Sequence, residues 1–383
     1  MRLWWGRPKE QMAALAAIYA PDQGGRSRIR SAFYRAKQLI KLLPALAASA
    51  ALVSPIRAAE IVQVPSFGAN PGNLLMFKYV PEGLPPNAPL VVALHGCTQD
   101  ARQFGTEAGW REIADQLHFV LLLPEQQAAN NDASCFNFFS PEHNRRGRGE
   151  AASIVQMVDS IKAEHGTNAD RTFIAGLSAG GGMSAAMLAA YPDVFRAGAI
   201  IAGLPYGCAS AGNSSYLAWQ KYWTVLWYGE ATWASLRCGI DRTHTVRAPP
   251  ASRSPQEWRD LLKEANGPHP AVWPRVSLWQ GDDDDTVHPQ NLNELVEQWT
   301  AAHGIDQVPD GENVGATYKH RVYKDAAGVT QVEVFEFSTL GHAVPTSPGT
   351  GAGHCGQSDP SHHYVARHVC AVSAIARFWG LTP

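Results

Sequence analysis

Apolar residues fall into two kinds of spacing along the chain. Short continuous runs at 74–80 (LLMFKYV), 89–94 (PLVVAL), 119–123 (FVLLL), 171–177 (RTFIAGL), 197–204 and 276–280 read as strands covered on both faces, and 332–337 (VEVFEF) alternates as a strand with one drier face. Between them Ile154, Val155, Val158 and Ile161 recur at helical spacing, which predicts an amphipathic helix over 150–164. Helices are also expected at 178–191, rich in Gly and Ala, at 291–302, and at 363–379 as the closing element. Buried strands alternating with helices predict an α/β fold with a mostly parallel central sheet and helices on both faces. Right-handed crossovers then bring the strand C-terminal ends, and any site built on them, to one edge. Two segments break the rhythm. Residues 210–255 hold Tyr216, Trp219, Tyr222, Trp223, Trp227, Tyr228 and Trp233 and form either a cap over that edge or a packing layer; residues 303–325 read as a loop or extension.

The first 59 residues differ from the rest. They carry ten Lys/Arg against two acids, then an apolar run over 42–53 and the small pair Ala58-Ala59. A basic stretch, a short apolar core and small residues behind it predict a secretory leader at 1–59, although Ile56 or Arg57 sits where a small residue is usual; an amphipathic helix on a cytoplasmic protein is the alternative. Residues 60–383 are then a single catalytic domain, secreted to the periplasm or medium. Without the leader, 22 Lys/Arg face 32 Asp/Glu, a formal charge of −10. Such a surface repels polyphosphate and excludes nucleic acid as a partner. No stretch reaches the roughly 18 apolar residues of a membrane span. All six cysteines, Cys97, Cys135, Cys208, Cys238, Cys355 and Cys370, follow the leader and suggest disulfides in an exported chain, with about 15 pairings open. None has zinc-site spacing. The pattern leaves the oligomeric state open.

Gly176-Leu177-Ser178-Ala179-Gly180 joins a predicted strand to a predicted helix. In that context Ser178 sits on a tight turn with its hydroxyl exposed at the sheet edge, and the small neighbours Gly176 and Gly180 allow the close approach. A serine nucleophile needs a base and the base an orienting acid, in the chain order Ser, Asp, His on such a scaffold. The strand 276–280 runs into Gly281 and four aspartates, 282–285; the run could also be a solvated turn or a loose calcium site. The strand at 332–337 leads to Gly341-His342, and among fourteen histidines His342 best combines late position with a strand end. His354, His362 and His363 read as surface or structural. The N–H of Ala179 and that of Cys97, in the His95-Gly96-Cys97 turn after an early strand, are the expected oxyanion donors. This chemistry needs no cofactor and no metal.

HGCTQD (95–100), LLLPEQ (121–126), CFNFF (135–139), RGRGE (146–150), AGLSAGGGM (175–183), LPYGC (204–208), GDDDDTVHPQN (281–291) and LGH (340–342) together resemble the polyhydroxybutyrate depolymerase family of esterases, over residues 60–380. The resemblance implies an α/β-hydrolase fold and hydrolysis of carboxylic esters, with depolymerases, feruloyl esterases and acetylxylan esterases among the members. It places the acid three residues before Val287, at Asp284, the base at His342 and an oxyanion donor at Cys97. It also suggests a Cys97–Cys135 disulfide; Cys208–Cys238 and Cys355–Cys370 follow by proximity alone. Two departures, phenylalanines in the CFNFF block and an end at Pro383 with no Thr-rich linker or polymer-binding module, favour a soluble ester over solid polymer. A peptidase or acyltransferase on the same scaffold, or a binding protein with a dead site, are the alternatives.

Overall fold

The structure, a computed structural model, describes residues 59–211, 214–241, 248–269, 272–351 and 353–382. The expected leader lies outside them but for Ala59.

Ten strands build the main sheet: β1 (Val62–Val64), β2 (Leu75–Tyr79), β3 (Leu90–Leu94), β4 (Val120–Glu125), β5 (Thr172–Leu177), β6 (Ala197–Ile201), β7 (Arg275–Gly281), β8 (Gly311–Val314), β9 (Tyr318–Lys324) and β10 (Thr330–Phe337). Their order is β1-β2-β4-β3-β5-β6-β7-β10-β9-β8. From β4 across to β10 every pairing is parallel, while β1, β2, β9 and β8 add antiparallel edges. The helices are α1 (Ala101–Glu107), α2 (Trp110–Leu117), α3 (Gly149–His165), α4 (Ala179–Ala190), α5 (Ser215–Tyr228), α6 (Glu230–Cys238), α7 (Pro255–Asn266), α8 (Asn291–His303) and α9 (Ala371–Phe378).

The two-residue period of the strands divides the core between the two faces. Leu90, Val92 and Leu94 of β3, with Val276 and Leu278 of β7, pack on one side against Ile154, Met183, Trp258 and Trp299 of α3, α4, α7 and α8. Val91 and Ala93, with Trp279, point to the other side, where Phe104, Trp110 and Ile375 of α1, α2 and α9 cover them. Every residue of β3 and β6 is buried, and this double coverage is why those strands read as unbroken apolar runs.

Three expectations are corrected. The helix expected over 363–379 is confined to α9, because His363 turns the chain at φ 68° and Tyr364–Ala366 (β12) pairs in parallel with Val344–Thr346 (β11). The strand expected over 197–204 stops at Ile201, where Ala202 enters a positive φ of 44°. Residues 303–325, read as a loop or extension, are only partly loop: Gly311–Val314 and Tyr318–Lys324 form the edge pair β8–β9, whose mixed charged and aromatic faces give only a weak two-residue signal.

Trp279 of β7 stacks on Phe335 of β10 with centroids 4.0 Å apart, and its indole N–H donates to Ser277 Oγ at 2.7 Å. Trp279→Ala should lower unfolding free energy by about 3–5 kcal/mol, read as a shift in the urea midpoint. A shift below about 1 kcal/mol would show that this pair does not anchor β7 to β10.

Candidate active site

The turn between β5 and α4 holds Ser178 at φ 57° and ψ −120°, a conformation that costs free energy for any residue with a side chain. The Ser178 N–H donates to Ile201 O at 2.9 Å, which ties the turn to the end of β6. Glycine is required on both sides. A Cβ on Gly176 would overlap the Gly180 carbonyl, and one on Gly180 would overlap the carbonyls of Leu94 and His95. The glycines thus let the first turn of α4 lie against the end of β3, with Ala179 N–H among the amides that have no intrahelical partner.

Beyond β7 the four aspartates separate by burial: Asp282, Asp283 and Asp285 are exposed and Asp284 is fully buried. Asp284 Oδ1 accepts from Thr286 N at 2.9 Å and Val287 N at 2.8 Å. Its Oδ2 accepts from Gln280 Nε2 at 2.8 Å and lies 2.8 Å from His342 Nδ1. Burial alone would raise the Asp284 pKa, but the neighbouring imidazole and the backbone donors hold it below the usual carboxylate range. The segment carrying His342 is tied to the acid loop by Thr339 N donating to Asp282 Oδ1 at 2.7 Å and by Asp283 N donating to Leu340 O at 3.1 Å. A Cβ on Gly281 would overlap Leu340 O, so this approach too depends on a glycine.

The loop after β3 is organised by His95, which is fully buried. Its Nε2 accepts from Gln126 N at 3.0 Å, so the proton sits on Nδ1 and is donated to Gly96 O at 2.7 Å. Burial pushes its pKa down to about 4, so the ring stays neutral near neutral pH. Gln99 Oε1 accepts from Gly96 N at 2.8 Å, and the Cys97–Cys135 disulfide ties the loop to the segment before α3. That segment is held by Glu150, buried at the start of α3, whose oxygens accept from Asn137 N, Asn137 Nδ2 and Gln126 Nε2 at 2.7–2.8 Å. The remaining cysteines pair as Cys208–Cys238 and Cys355–Cys370.

Ser178, Ala179, Gly96, Cys97 and His342 all face one pocket of about 460 Å³, within the range of small-molecule sites. Its walls are largely apolar, from Phe138, Phe139, Leu204, Ala234, Ile240 and Val287. Asp284 lies behind His342 and does not line it. His363, expected to be surface or structural, also lines the pocket: its ring stands edge-on to that of His342 with centroids 5.5 Å apart, and its Nδ1 lies 2.9 Å from His342 O. Burial, and then the neighbouring His342, lower its pKa. His354 contacts Ser347 O and His362 contacts Glu107, both away from the pocket. Sequence reasoning gave no role to His95 as an organiser of the loop, nor to Gln280 or Glu150. His95 and Glu150 stand inside recognised blocks, and only their complete burial reveals what they do. The aromatic segment divides: α6 supplies Ala231, Ala234 and Ser235 to the pocket wall, while α5 buries no residue.

The Esterase PHB depolymerase family model matches residues 75–220. Over 354 residues the chain is 40% identical to the poly(3-hydroxyalkanoate) depolymerase C of Paucimonas lemoignei, spanning 92% of this chain and 78% of that protein. The chain belongs to the polyhydroxybutyrate depolymerase family of esterases. Other similar proteins are an acetylxylan esterase of Coprinopsis cinerea, 30% identical over 76% of this chain and 71% of that protein, and a feruloyl esterase B of Talaromyces stipitatus, 28% identical over 79% and 78%. The acetyl xylan esterase from Aspergillus awamori has a similar fold, with a TM-score of 0.59 and 24% identity over 74% of this chain and 94% of that one. The family member described here is therefore a carboxylic ester hydrolase of the α/β-hydrolase fold. No helix among the described residues is long and apolar enough to cross a membrane.

The neutral His95 gives the β3 loop a pH dependence. A histidine with its folded pKa depressed from 6.5 to about 4 is protonated first in the unfolded chain, so stability falls as pH drops through that window. The loss should amount to about 3 kcal/mol between pH 6.5 and 4. In His95→Gln, which keeps an acceptor and a donor, the same comparison of urea midpoints should give a flatter slope. An unchanged slope would assign the acid sensitivity to other groups.

Proposed function

We propose that this enzyme hydrolyses 3-hydroxyalkanoate esters through an acyl-enzyme on Ser178. The observation that carries the proposal is the hydrogen bond from His342 Nδ1 to a fully buried Asp284, with His342 and Ser178 facing the same apolar pocket. His342 takes the proton of Ser178 as Oγ attacks the ester carbonyl, and Asp284 fixes the ring with its proton on Nδ1 and stabilises the cation that forms. The N–H groups of Ala179 and Cys97 receive the charge that develops on the carbonyl oxygen. His342 then protonates the departing alcohol, and a water it activates releases the acid. The extensive similarity to a poly(3-hydroxyalkanoate) depolymerase favours hydroxyalkanoate esters over acetyl or feruloyl ones, and the apolar walls suit an uncharged acyl chain. Six cysteines joined in three disulfides favour an oxidising compartment, so we assign the enzyme to the periplasm or the medium.

Ser178→Ala should reduce kcat on p-nitrophenyl butyrate by about 10⁶-fold, to the level left by binding and the oxyanion site. Asp284→Asn should lose about 10⁴-fold by holding the wrong tautomer of His342. Retention of wild-type turnover by Ser178→Ala would reject the mechanism. Faster turnover on feruloyl or acetyl-xylan esters than on hydroxybutyrate oligomers would reject the substrate class.

A further inference from the structure

Helix α5 turns its aromatic side outwards. Tyr216, Trp219, Tyr222, Trp223, Leu226 and Trp227 recur at spacings of three and four residues and share one face of the helix. Every one of them is exposed, Trp227 by 71% and Tyr222 by 62%. Rings within the row touch one another: Tyr216 lies against Trp219, Trp219 against Trp223, and Trp223 against Tyr222, with centroids 5.4–6.5 Å apart. The opposite face carries Leu217, Gln220, Lys221, Thr224 and Val225, all half-buried, and the exposed Tyr228 at the helix end. A helix held by the hydrophobic effect of its own domain would face the other way, since burying its rings would contribute more than any other choice open to it. An apolar row this long on the outside of a monomer marks a surface that meets something else.

We infer that this face of α5 adsorbs the enzyme to a solid polyester, an uncharged surface of packed ester and alkyl groups. The inference rests on the hydroxyalkanoate reading above. Three observations select this occupant. First, α5 packs on α6, and α6 supplies Ala231, Ala234 and Ser235 to the pocket wall, so the aromatic row belongs to the structure around the pocket. Second, the helix carries one charged residue, Lys221, whose Nζ lies 3.7 Å from Glu230 on α6; the row offers no positive charge to anionic lipid or polyphosphate. Third, the extensive relative is named for a polymeric hydroxyalkanoate. Tryptophan and tyrosine suit the task, with a large rigid apolar area and an N–H or O–H that can donate to ester carbonyls. The sequence departures favour a soluble ester over solid polymer, whereas this inference puts a polymer-binding element inside the catalytic unit.

The test separates adsorption from chemistry. In an inactive Ser178→Ala background, Trp219→Ser, Tyr222→Ser and Trp227→Ser together should raise the Kd for poly(3-hydroxybutyrate) granules by at least about tenfold. In the active background the same substitutions should slow film clearing by a comparable factor and leave p-nitrophenyl butyrate turnover within about twofold, which also reports that the fold is intact. The milder Leu226→Gln with Trp227→Gln should move both polymer readouts in the same direction. Unchanged granule binding in either set overturns the inference. So does loss of binding to insoluble xylan or to phosphatidylcholine vesicles in place of granules, or conversion of a dimer to a monomer in sedimentation with granule binding retained. Failure of the hydroxyalkanoate reading itself would appear separately, in the soluble-substrate comparison.

Discussion

The structure depends on how closely the chain can approach itself at the C-terminal ends of the parallel strands. Ser178 is held at φ 57° only because Gly176 and Gly180 have no side chains to collide with the carbonyls beside them, and Gly281 performs the same service between the acid loop and Leu340. Those contacts place four chain segments, after β3, β5, β7 and β10, around one pocket edge. The strained turn is maintained by the sheet beneath it, where β5 is buried along its whole length between β3 and β6. Strain of this kind persists only where the surroundings over-determine it, and a fully covered parallel sheet is such a surrounding.

Around that edge, buried polar groups fix the connecting loops. Asp284 fills both oxygens with donors, and His95 and Glu150 lock the β3 loop and the segment before α3 through bonds to backbone amides. Each is a buried polar residue whose partners are supplied in full, the condition under which such a group specifies one geometry. Disulfides act on the same segments: Cys97–Cys135 spans the β3 loop, Cys208–Cys238 joins the chain after β6 to the pocket helix α6, and Cys355–Cys370 holds the approach to α9.

Much of this was legible in the sequence, for reasons that differ by element. The central strands announced themselves as unbroken apolar runs because both faces are covered, and Ser178 stood out because a strand, a glycine-flanked serine and a small-residue helix occur together. Choosing Asp284 from four aspartates needed family resemblance, since no local pattern distinguishes the buried member of the run. Edge strands β8 and β9 were hidden by partial exposure, and β12 by residues that also fit a helical period. The place of His363 at the pocket comes from a reversal at its own positive φ, which sequence spacing does not encode. Periodicity reports coverage, and positions governed by backbone turns or long-range burial escape it.

The aromatic segment shows the limit from the other side. Seen as composition, seven Trp and Tyr residues within 210–255 suggest either core or cap, because an aromatic ring carries the same signal wherever it ends up. The structure sorts them by a criterion that composition lacks. Trp233 of α6 is buried and donates its indole N–H to Ala209 O at 2.6 Å, while the rings of α5 one turn earlier stand in solvent. The two adjacent helices therefore carry different loads: α6 lines the pocket, and α5 leaves its aromatic face uncovered among the described residues. An apolar surface left uncovered among the described residues, on a helix packed against a pocket wall, is retained at a cost in solubility, and the adsorption inferred above offsets that cost.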